Sequence, residues 1–449
     1  MESKQYIVTI EICSSKIVGT VGEKSSNGSV SVIAIESDRI STDCVRRGFV
    51  QNVEEAKSHM IDIIKRLEAH ISPGRITGVY VGVAGRSLHN MPVELTLDLD
   101  PNQLISEDVI NNIISRCRAM SVDGEILDVV PCSYELEGNQ EVRNPIGSYS
   151  GRIRAKMNLI VAKTTLKMNL QRVFDTVKVK GFVITPLAVA DKILTNDERQ
   201  LGCMLVDFGA ETTTVSVYKE NALLYMFVMP IGSRNITRDI TSLKVLEETA
   251  EQIKRSIGNA MSNADANKLS IEGISGTEVS NYIMARSGEI VANIIEQLQY
   301  AGLTVADIPA GIVVIGGGAK LNGFVELIAQ QTNAKVRKGA PNSDVKILES
   351  AANNLEYATI VSIVAKAAEL IPSDVTCCEE PPAVMTLNES FSAGTTINDT
   401  VAAKADDEPK EEPKPKTRNR LSLLWDRLVE KSGNAFSDDD DDDENEITK

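Results

Sequence analysis

The sequence predicts an α/β fold in which two similar halves face one cleft. A short passage occurs twice, as Tyr6–Gly19 and as Cys203–Val217. Each copy is an apolar strand ending in a carboxylate, then a tight turn of small residues, then a second alternating strand. A third passage, Gly311–Gly323, is a buried strand followed by three glycines and a helix. Two unrelated buried hairpins would explain the first two passages equally well, but the third passage favours a duplication.

The two turns have the residue types of a site for a metal-bound polyphosphate. Backbone N–H groups in tight turns can hold phosphate oxygens, and carboxylates hold Mg²⁺ directly or through water. We therefore expect Glu11 and Asp207, at the ends of the two strands, to face Mg²⁺ through water. The residues expected to face phosphates are Ser14, Ser15, Lys16, Gly209 and Thr212.

Three consecutive glycines, Gly316, Gly317 and Gly318, end the third strand. Glycine lets the backbone pass a flat ligand where any Cβ would clash. The run is not a P-loop, because the chain contains no G-x-x-x-x-G-K-[ST] pattern, and its spacing differs from the G-x-G-x-x-G of dinucleotide sites. We expect it to lie beneath a nucleoside.

A charged helix precedes the glycine run. The segment Thr249–Ala260 has a helical pattern that places Glu251, Lys254 and Arg255 on one side, at i, i+3 and i+4. Taken alone, this trio is typical of a solvated helix face.

In this order, the three passages and the charged helix resemble the actin-like ATPase superfamily, which has a duplicated ribonuclease H-like fold. The resemblance implies that the two turns are its phosphate loops and that the glycine run is its adenosine loop. It also implies that Glu251 and Lys254 contact the ribose and adenine of ATP bound with Mg²⁺. Arg286, in a predicted helix over Ser280–Leu298, matches a family arginine near the adenine.

A more specific resemblance identifies a family within this superfamily. The stretches Asp128–Leu136 and Val142–Ile160 are similar to a "VIP-x-x-Y … NP-x-G-x-x-G-x-x-L-x-A" pattern of the FtsA family. Val79–Gly85 and Pro230–Ile240 also resemble segments of that family, so that the resemblance covers roughly residues 6–370. FtsA proteins are bacterial cell-division proteins that tether FtsZ filaments to the membrane.

The resemblance implies a domain plan with an inserted subdomain in the first lobe. The predicted boundaries are 1–83 with 164–200 and 352–370 for the first lobe, 84–163 for the insertion, 201–241 with 305–351 for the second lobe, 242–304 for its small subdomain, 371–416 for a disordered linker, 417–433 for an amphipathic helix and 434–449 for an acidic tail. The linker is rich in Pro, Glu and Lys and has no periodicity, which is typical of disorder.

The predicted C-terminal helix has an apolar face that suits a membrane surface. Leu421, Leu424, Trp425 and Leu428 fall at i, i+3, i+4 and i+7, and arginines and a lysine flank them. A helix that docks in a protein groove is the alternative.

Two departures from the family pattern bear on activity. Cys13 stands where the first turn normally has glycine, and the second turn contains Ala210 and Glu211 in place of two glycines. A carboxylate inside a phosphate cradle repels the ligand unless it turns outward or meets the metal. We therefore expect nucleotide binding with at most weak ATPase activity.

Composition excludes several classes of function. The formal net charge is −16, but the segment Asp438–Glu446 alone contains eight carboxylates, and no basic face indicates nucleic-acid binding. Seven cysteines without a C-x-x-C pair, and no signal peptide at the start, predict a reduced cytoplasmic protein. No apolar run reaches the eighteen or so residues of a membrane span.

The resemblance thus implies an ATP-binding, polymerising cell-division protein. Its expected location is the inner face of the cytoplasmic membrane at the septum, and its expected partners are FtsZ, further copies of itself, other divisome proteins and anionic lipid. A sugar kinase or a pilus-assembly ATPase of the same superfamily are the alternatives. A sugar kinase would need an aspartate base in the cleft, and a pilus-assembly relative also has an inserted subdomain.

Overall fold

The structure is a computed structural model that describes residues 5–101, 103–138, 140–261, 270–271, 273–341, 345–346, 355–372 and 375–379. The predicted helix 417–433, with Leu421, Leu424, Trp425 and Leu428, lies outside these residues. The predicted acidic tail also lies outside them. Of the predicted disordered linker the structure describes 371–372 and 375–379, where Cys378 and Glu379 form a short strand that pairs with Ile76 and Arg75.

Strands and helices alternate along the described chain. The strands are β1 Gln5–Ile12, β2 Lys16–Lys24, β3 Val30–Arg39, β4 Val45–Arg46, β5 Phe49–Val50, β6 Arg75–Ile76, β7 Gly78–Val83, β8 His89–Asp98, β9 Glu125–Leu136, β10 Gln140–Val142, β11 Arg152–Ala162, β12 Lys178–Ile184, β13 Cys203–Phe208, β14 Thr213–Lys219, β15 Ala222–Met229, β16 Ser270–Ile271, β17 Ile274–Ser275, β18 Gly311–Ile315, β19 Val336–Lys338, β20 Val345–Lys346 and β21 Cys378–Glu379. The helices are α1 Val53–His70, α2 Glu107–Arg118, α3 Thr164–Val173, α4 Thr185–Ile193, α5 Asn196–Leu201, α6 Ser233–Ile240, α7 Glu247–Ile257, α8 Gly276–Tyr300, α9 Phe324–Thr332 and α10 Ala358–Leu370. Short 3₁₀ turns span Thr241–Leu243, Val305–Asp307 and Gly317–Lys320.

A six-stranded sheet forms the centre of the first half, in the order β12-β7-β1-β2-β3-β20. Strands β1, β2 and β3 form an antiparallel meander, and β7 runs parallel to β1. Helix α1 packs on β2 and β3, whereas α10 packs on β1, β2 and α4. Burial beneath these helices explains why β1 reads as an apolar run rather than as a strict alternation.

The second half repeats this arrangement. Strands β13, β14 and β15 form an antiparallel meander, and β18 runs parallel to β13 as β7 does to β1. The core beneath includes Phe208 and Phe324, whose stacked rings have centroids 4.2 Å apart. The predicted duplicated α/β fold is therefore confirmed.

An inserted unit interrupts the first half between β7 and α3. Its strands β8, β9, β10 and β11 and helix α2 enclose their own core, which includes Ile105, Ile113 and Leu159. This small sheet continues into the second half, because His89 of β8 pairs with Phe227 of β15. The second half and the insertion therefore share one nine-stranded sheet, in the order β10-β9-β11-β8-β15-β14-β13-β18-β19.

Side chains reinforce this junction between the insertion and β15. The Asn90 side chain accepts a hydrogen bond from the Met226 backbone N–H at 2.6 Å and donates to the Leu224 carbonyl at 3.3 Å. The Asn158 amide donates to the Leu223 carbonyl at 2.6 Å. The insertion thus contacts the second half through polar side chains that bind backbone groups of β15.

One predicted helix is shorter in the structure than its pattern indicates. A helix over Thr165–Lys180 is predicted, but α3 ends at Val173 and β12 already begins at Lys178. The reason is tertiary, because Lys178 pairs with Gly78 in the parallel β7–β12 ladder and the chain must become extended to do so. No described helix is long and apolar enough to cross a membrane.

Candidate functional site

A cleft of about 1070 Å³ lies where the two strand–turn–strand units meet. The predicted site residues that line it are Glu11, Ser14, Ser15, Lys16, Asp207, Gly209, Thr212, Glu251, Lys254, Gly316, Gly317 and Gly318. The two halves of the duplicated fold thus contribute to a single cleft.

The two turns close with the same backbone hydrogen bond. Cys13 N–H donates to the Lys16 carbonyl at 2.9 Å, and Gly209 N–H donates to the Thr212 carbonyl at 2.9 Å. Cys13 has a negative φ, so its side chain causes no backbone strain in the first turn. The first departure from the family pattern is therefore accommodated by the turn geometry.

Glu11 at the end of β1 is buried, Asp207 near the end of β13 is half-buried, and both hold their protons more tightly than usual. Burial, followed by repulsion from Asp207, raises the pKa of Glu11 to about 7. Burial raises the pKa of Asp207 to about 6, although a hydrogen bond with Thr359 works against this change. Both carboxylates lose part of their hydration, and Asp207 also repels Glu11, so the site gains from a bound cation.

These carboxylates fit Mg²⁺ better than a metal that needs a full protein cage. Among the residues that the structure describes, no group of three or more His, Cys, Asp or Glu side chains could hold a metal ion. Mg²⁺ usually takes one or two carboxylates, keeps several waters and uses phosphate oxygens for the remainder. Glu11 and Asp207 provide that donor set.

The glycine run has two different roles. A Cβ at Gly316, where φ is +90°, would lie 2.5 Å from the Asp207 Oδ1, and one at Gly318 would lie 2.6 Å from the Phe208 ring. These two glycines are therefore required first by packing against the end of β13. A Cβ at Gly317 would meet only the Glu356 side chain, at 4.0 Å, so this glycine is the one that borders open space in the cleft.

In the charged helix α7, buried Lys254 pairs with half-buried Glu251, whereas Arg255 is exposed to solvent. The Lys254 Nζ lies 2.6 Å from a Glu251 carboxylate oxygen and also donates to the Thr237 hydroxyl at 2.8 Å. Burial lowers the pKa of Lys254. Burial also acts to raise the pKa of Glu251, but Lys254, Thr237 and Arg255 outweigh it and the net direction is downward.

Arg286 is the predicted nucleotide-binding residue that does not line the cleft. Its guanidinium makes two contacts with Asp239, at 2.6 and 3.1 Å, and one with Glu289 at 2.6 Å. The structure therefore engages this arginine in ion pairs within the second half, and a contact with adenine would require it to leave them.

Sequence reasoning missed Glu356, which also lines the cleft. Its carboxylate lies 2.9 Å from the Lys16 Nζ and 3.2 Å from the Lys320 Nζ. Burial opposes the charge on this carboxylate, but the two lysines together lower its pKa to about 2. No motif surrounds Glu356, and its partners are distant in the chain, so no local pattern could have revealed it.

Glu211, the second departure, points away from the cleft and does not line it. Its side chain is 3% exposed, and its oxygens accept hydrogen bonds from Arg234 at 3.2 Å and Arg238 at 3.0 Å. The backbone N–H of Arg47 also donates to it at 2.8 Å. The negative charge is thus compensated outside the space that a phosphate would occupy.

The comparisons with known proteins agree with this fold. The solved structure described as "PilM-PilN type IV pilus biogenesis complex" superposes with a TM-score of 0.57 at 15% identity, over 82% of this chain and 99% of that chain. At this identity the likeness establishes the fold alone. Three features define the class of protein as the actin-like ATPase superfamily: the duplicated halves, the two turns and the glycine run after β18.

The sequence comparisons narrow this class to one family. The family model described as "Cell division protein FtsA" matches residues 204–362, and the model "SHS2 domain inserted in FTSA" matches residues 85–161. Cell division protein FtsA of Porphyromonas gingivalis is 30% identical over 97% of this chain and 98% of its own length. The Bacillus subtilis protein of the same name is 26% identical over 76% of this chain and 80% of its own length. This chain belongs to the FtsA family.

Proposed function

We propose that this protein binds ATP with Mg²⁺ in the cleft and uses the bound state to anchor FtsZ filaments to the cytoplasmic membrane during cell division. The observation that carries the nucleotide part is the pair of carboxylates, buried Glu11 and half-buried Asp207, each at the entrance to a turn that faces the cleft. Membership of the FtsA family supports the cell-division part and favours it over a sugar kinase or a pilus-assembly ATPase.

Different parts of the cleft bind the metal ion, the phosphates and the nucleoside in this proposal. Glu11 and Asp207 hold Mg²⁺, in part through water, and the ion would neutralise phosphate charge. The turn residues Ser14, Ser15, Lys16, Gly209 and Thr212 hold the phosphates through backbone N–H groups and side-chain donors. Glu251 and Lys254 face the ribose, and Gly317 leaves room for the nucleoside.

The cleft favours binding over rapid turnover. Lys16 is paired with Glu356 at 2.9 Å, so a phosphate must compete with a carboxylate for this cation. Transition-state stabilisation requires charged groups that are already aimed at the phosphate, and this lysine is not. We therefore expect at most weak ATPase activity.

Calorimetric titration with a non-hydrolysable ATP analogue tests the nucleotide site in the full chain. Wild-type protein should bind the analogue with Mg²⁺, and Asp207→Asn should weaken Mg²⁺-dependent binding by about 10–100-fold, as loss of a metal-orienting group does. Asp62→Asn is the matched control, because Asp62 is an exposed residue of α1 that pairs with Lys65. Equal affinities for both variants, or no binding by wild type at millimolar analogue, would remove the nucleotide site from the proposal.

Membrane attachment is proposed for the helix 417–433 through Leu421, Leu424, Trp425 and Leu428. Four partly buried apolar side chains offer about 1.5–3 kcal/mol each before ordering costs, and these costs offset much of that gain. One copy should therefore bind weakly, and end-to-end polymers of this protein should bind firmly through multivalency. We propose that the insertion, residues 84–163, forms one of the polymer contacts.

Liposome flotation tests this attachment. The double variant Trp425→Glu with Leu428→Glu should leave vesicles of anionic lipid. Its matched control is Thr395→Glu with Thr396→Glu, which adds the same two charges to the linker and should still float. If both variants dissociate, charge repulsion alone explains the loss; if neither does, the helix is not the anchor.

A test of partner binding completes the proposal. Co-sedimentation with FtsZ filaments should retain the full chain, and the small second-lobe subdomain, about residues 242–304, is the proposed contact. A chain that fails to co-sediment at any concentration of filament would contradict tethering while leaving nucleotide and lipid binding intact.

A further inference from the structure

The turn between β4 and β5 touches both phosphate turns. The Gly48 N–H donates to the Ser14 hydroxyl oxygen at 3.0 Å, and the Arg47 N–H donates to a Glu211 carboxylate oxygen at 2.8 Å. Ser14 belongs to the first half of the molecule and Glu211 to the second half. The Gly48 amide therefore ties the turn to its own half, and the neighbouring Arg47 amide crosses to the second half.

The shape of this turn is set by its surroundings. Arg47 has φ +50° and Gly48 has φ +78°, so successive N–H groups point to the same side and form a small concavity for acceptors. A Cβ at Gly48 would lie 2.7 Å from the Gly85 Cα, so the turn is pressed against the start of the insertion. The backbone thus fits between three parts of the molecule.

Glu211 is held firmly on the side of the second half. Helix α6 begins directly against the second turn, because Ser233 N–H donates to the Gly209 carbonyl at 3.0 Å and Arg234 N–H donates to the Ala210 carbonyl at 2.7 Å. This start places Arg234 and Arg238 beside the Glu211 carboxylate. Hydrogen bonds between charged groups are stronger than neutral ones, so the carboxylate has little freedom to leave.

We infer that Glu211 is a latch between the two halves, which keeps the Arg47–Gly48 turn of the first half fixed against the second phosphate turn without any ligand. The carboxylate provides the acceptor for Arg47, and the two arginines of α6 fix its position and neutralise its charge. The latch therefore positions the rim of the cleft. Glu211, a carboxylate expected to repel a phosphate at this place in the turn, instead holds the two halves together. This inference does not depend on nucleotide binding, since every contact in it lies between protein groups.

Amide hydrogen exchange on the ligand-free full chain tests the latch. Glu211→Ala should speed exchange of the Arg47 amide at least ten-fold, because its acceptor is lost. Glu211→Asp keeps the charge but shortens the side chain, so it should also release Arg47. Glu247→Gln is the matched control: Glu247 contacts Arg234 at 3.2 Å but makes no hydrogen bond with Arg47 that the structure describes, and exchange should not change. Arg47→Ala, which keeps the backbone N–H, should also retain protection.

A second measurement separates a latch from a merely local hydrogen bond. Fluorescent unnatural amino acids at Lys65 in α1 and Gln299 in α8, both exposed, report the separation of the halves. Glu211→Ala and Glu211→Asp should broaden or lengthen that distance in ligand-free protein, and Glu247→Gln should not. Unchanged exchange at Arg47, or an unchanged distance in both variants, would overturn the inference. Failure of ATP binding alone would not, because neither measurement uses nucleotide.

Discussion

The first turn, Cys13–Lys16, and the second turn, Gly209–Thr212, have the same backbone hydrogen bond and differ in how their charges are balanced. Each follows a carboxylate with a raised pKa, Glu11 or Asp207, and is closed by one hydrogen bond of 2.9 Å. The first turn carries a cation, Lys16, which faces the cleft and is neutralised by Glu356. At the position equivalent to Ser15, the second turn carries an anion, Glu211, which faces away and is neutralised by Arg234 and Arg238. The duplication thus preserves the hydrogen-bond geometry, whereas each half balances its own charge with partners that the other half lacks.

The largest expected effect concerns the two carboxylates that precede these turns. The folded pKa of Glu11, about 7, is above its ordinary value of 4.5, so between these values the folded chain binds more protons than the unfolded chain. The stability of ligand-free protein should therefore fall as pH rises from 4.5 to 7, by about 3 kcal/mol from this group at 1.36 kcal/mol per pKa unit. Asp207, whose pKa is raised to about 6, adds a decrease of the same sign at lower pH.

Urea unfolding of ligand-free protein between pH 5 and 8 measures this dependence. Glu11→Gln should flatten the curve and raise stability at pH 8, because a buried charge is removed. Asp62→Asn, at an exposed site, should reproduce the wild-type curve. A wild-type stability that rises with pH over the same range, with no change in Glu11→Gln, would contradict a protonated carboxyl at this position.

The next effect compares equivalent positions of the two turns. Cys13 and Gly209 each donate the closing hydrogen bond, yet the first turn accepts a Cβ there, whereas one at Gly209 would lie 2.8 Å from the Thr212 carbonyl oxygen. Gly209→Ala should therefore cost about 1–3 kcal/mol of stability, as overpacking commonly does. Cys13→Ala, which keeps the Cβ, should cost less, and thermal unfolding of both variants gives the comparison. Equal losses would show that the turns tolerate a side chain alike.

The smallest effect concerns the pairing of Lys16. Glu356→Gln removes the carboxylate that competes with phosphate for this lysine, so binding of an ATP analogue should tighten by a few-fold, the size expected for a partly exposed ion pair. Asp62→Asn, at an exposed position of α1 outside the cleft, is the control and should leave affinity unchanged. Weaker binding in Glu356→Gln would mean that the carboxylate positions Lys16 rather than competing for it.

Local patterns predicted the parts of this molecule whose cause is local. The apolar period of 3.6 residues over Val53–His70 predicts a helix, and α1 spans this range with Asn52 as its N-cap. The strand–turn–strand units are predictable for the same reason, because an apolar run, a short turn and an alternating run are compatible with few other local structures.

The remainder depends on which residues meet across the fold. The end of α3 was overestimated, because the pairing of Lys178 with β7 is invisible in a helical pattern. Glu356 reaches Lys16 from the far end of the folded chain, and Arg286 finds Asp239 in a neighbouring helix. The outward direction of Glu211 also required α6 to be in place. The tertiary structure determines which charged side chains form ion pairs, so no local pattern in a single sequence indicates these partners.

The seam between β8 and β15 has a consequence for synthesis of the chain. Residues 89–162 enclose their own core, but the strand that joins them, Ala222–Met229, is translated later. Until then Asn90 and Asn158 lack the backbone groups of β15 that they bind, and His89 lacks its strand partner Phe227. The growing polypeptide therefore passes through a stage in which these polar groups bond to water, and slow translation of the residues before 222 prolongs that stage.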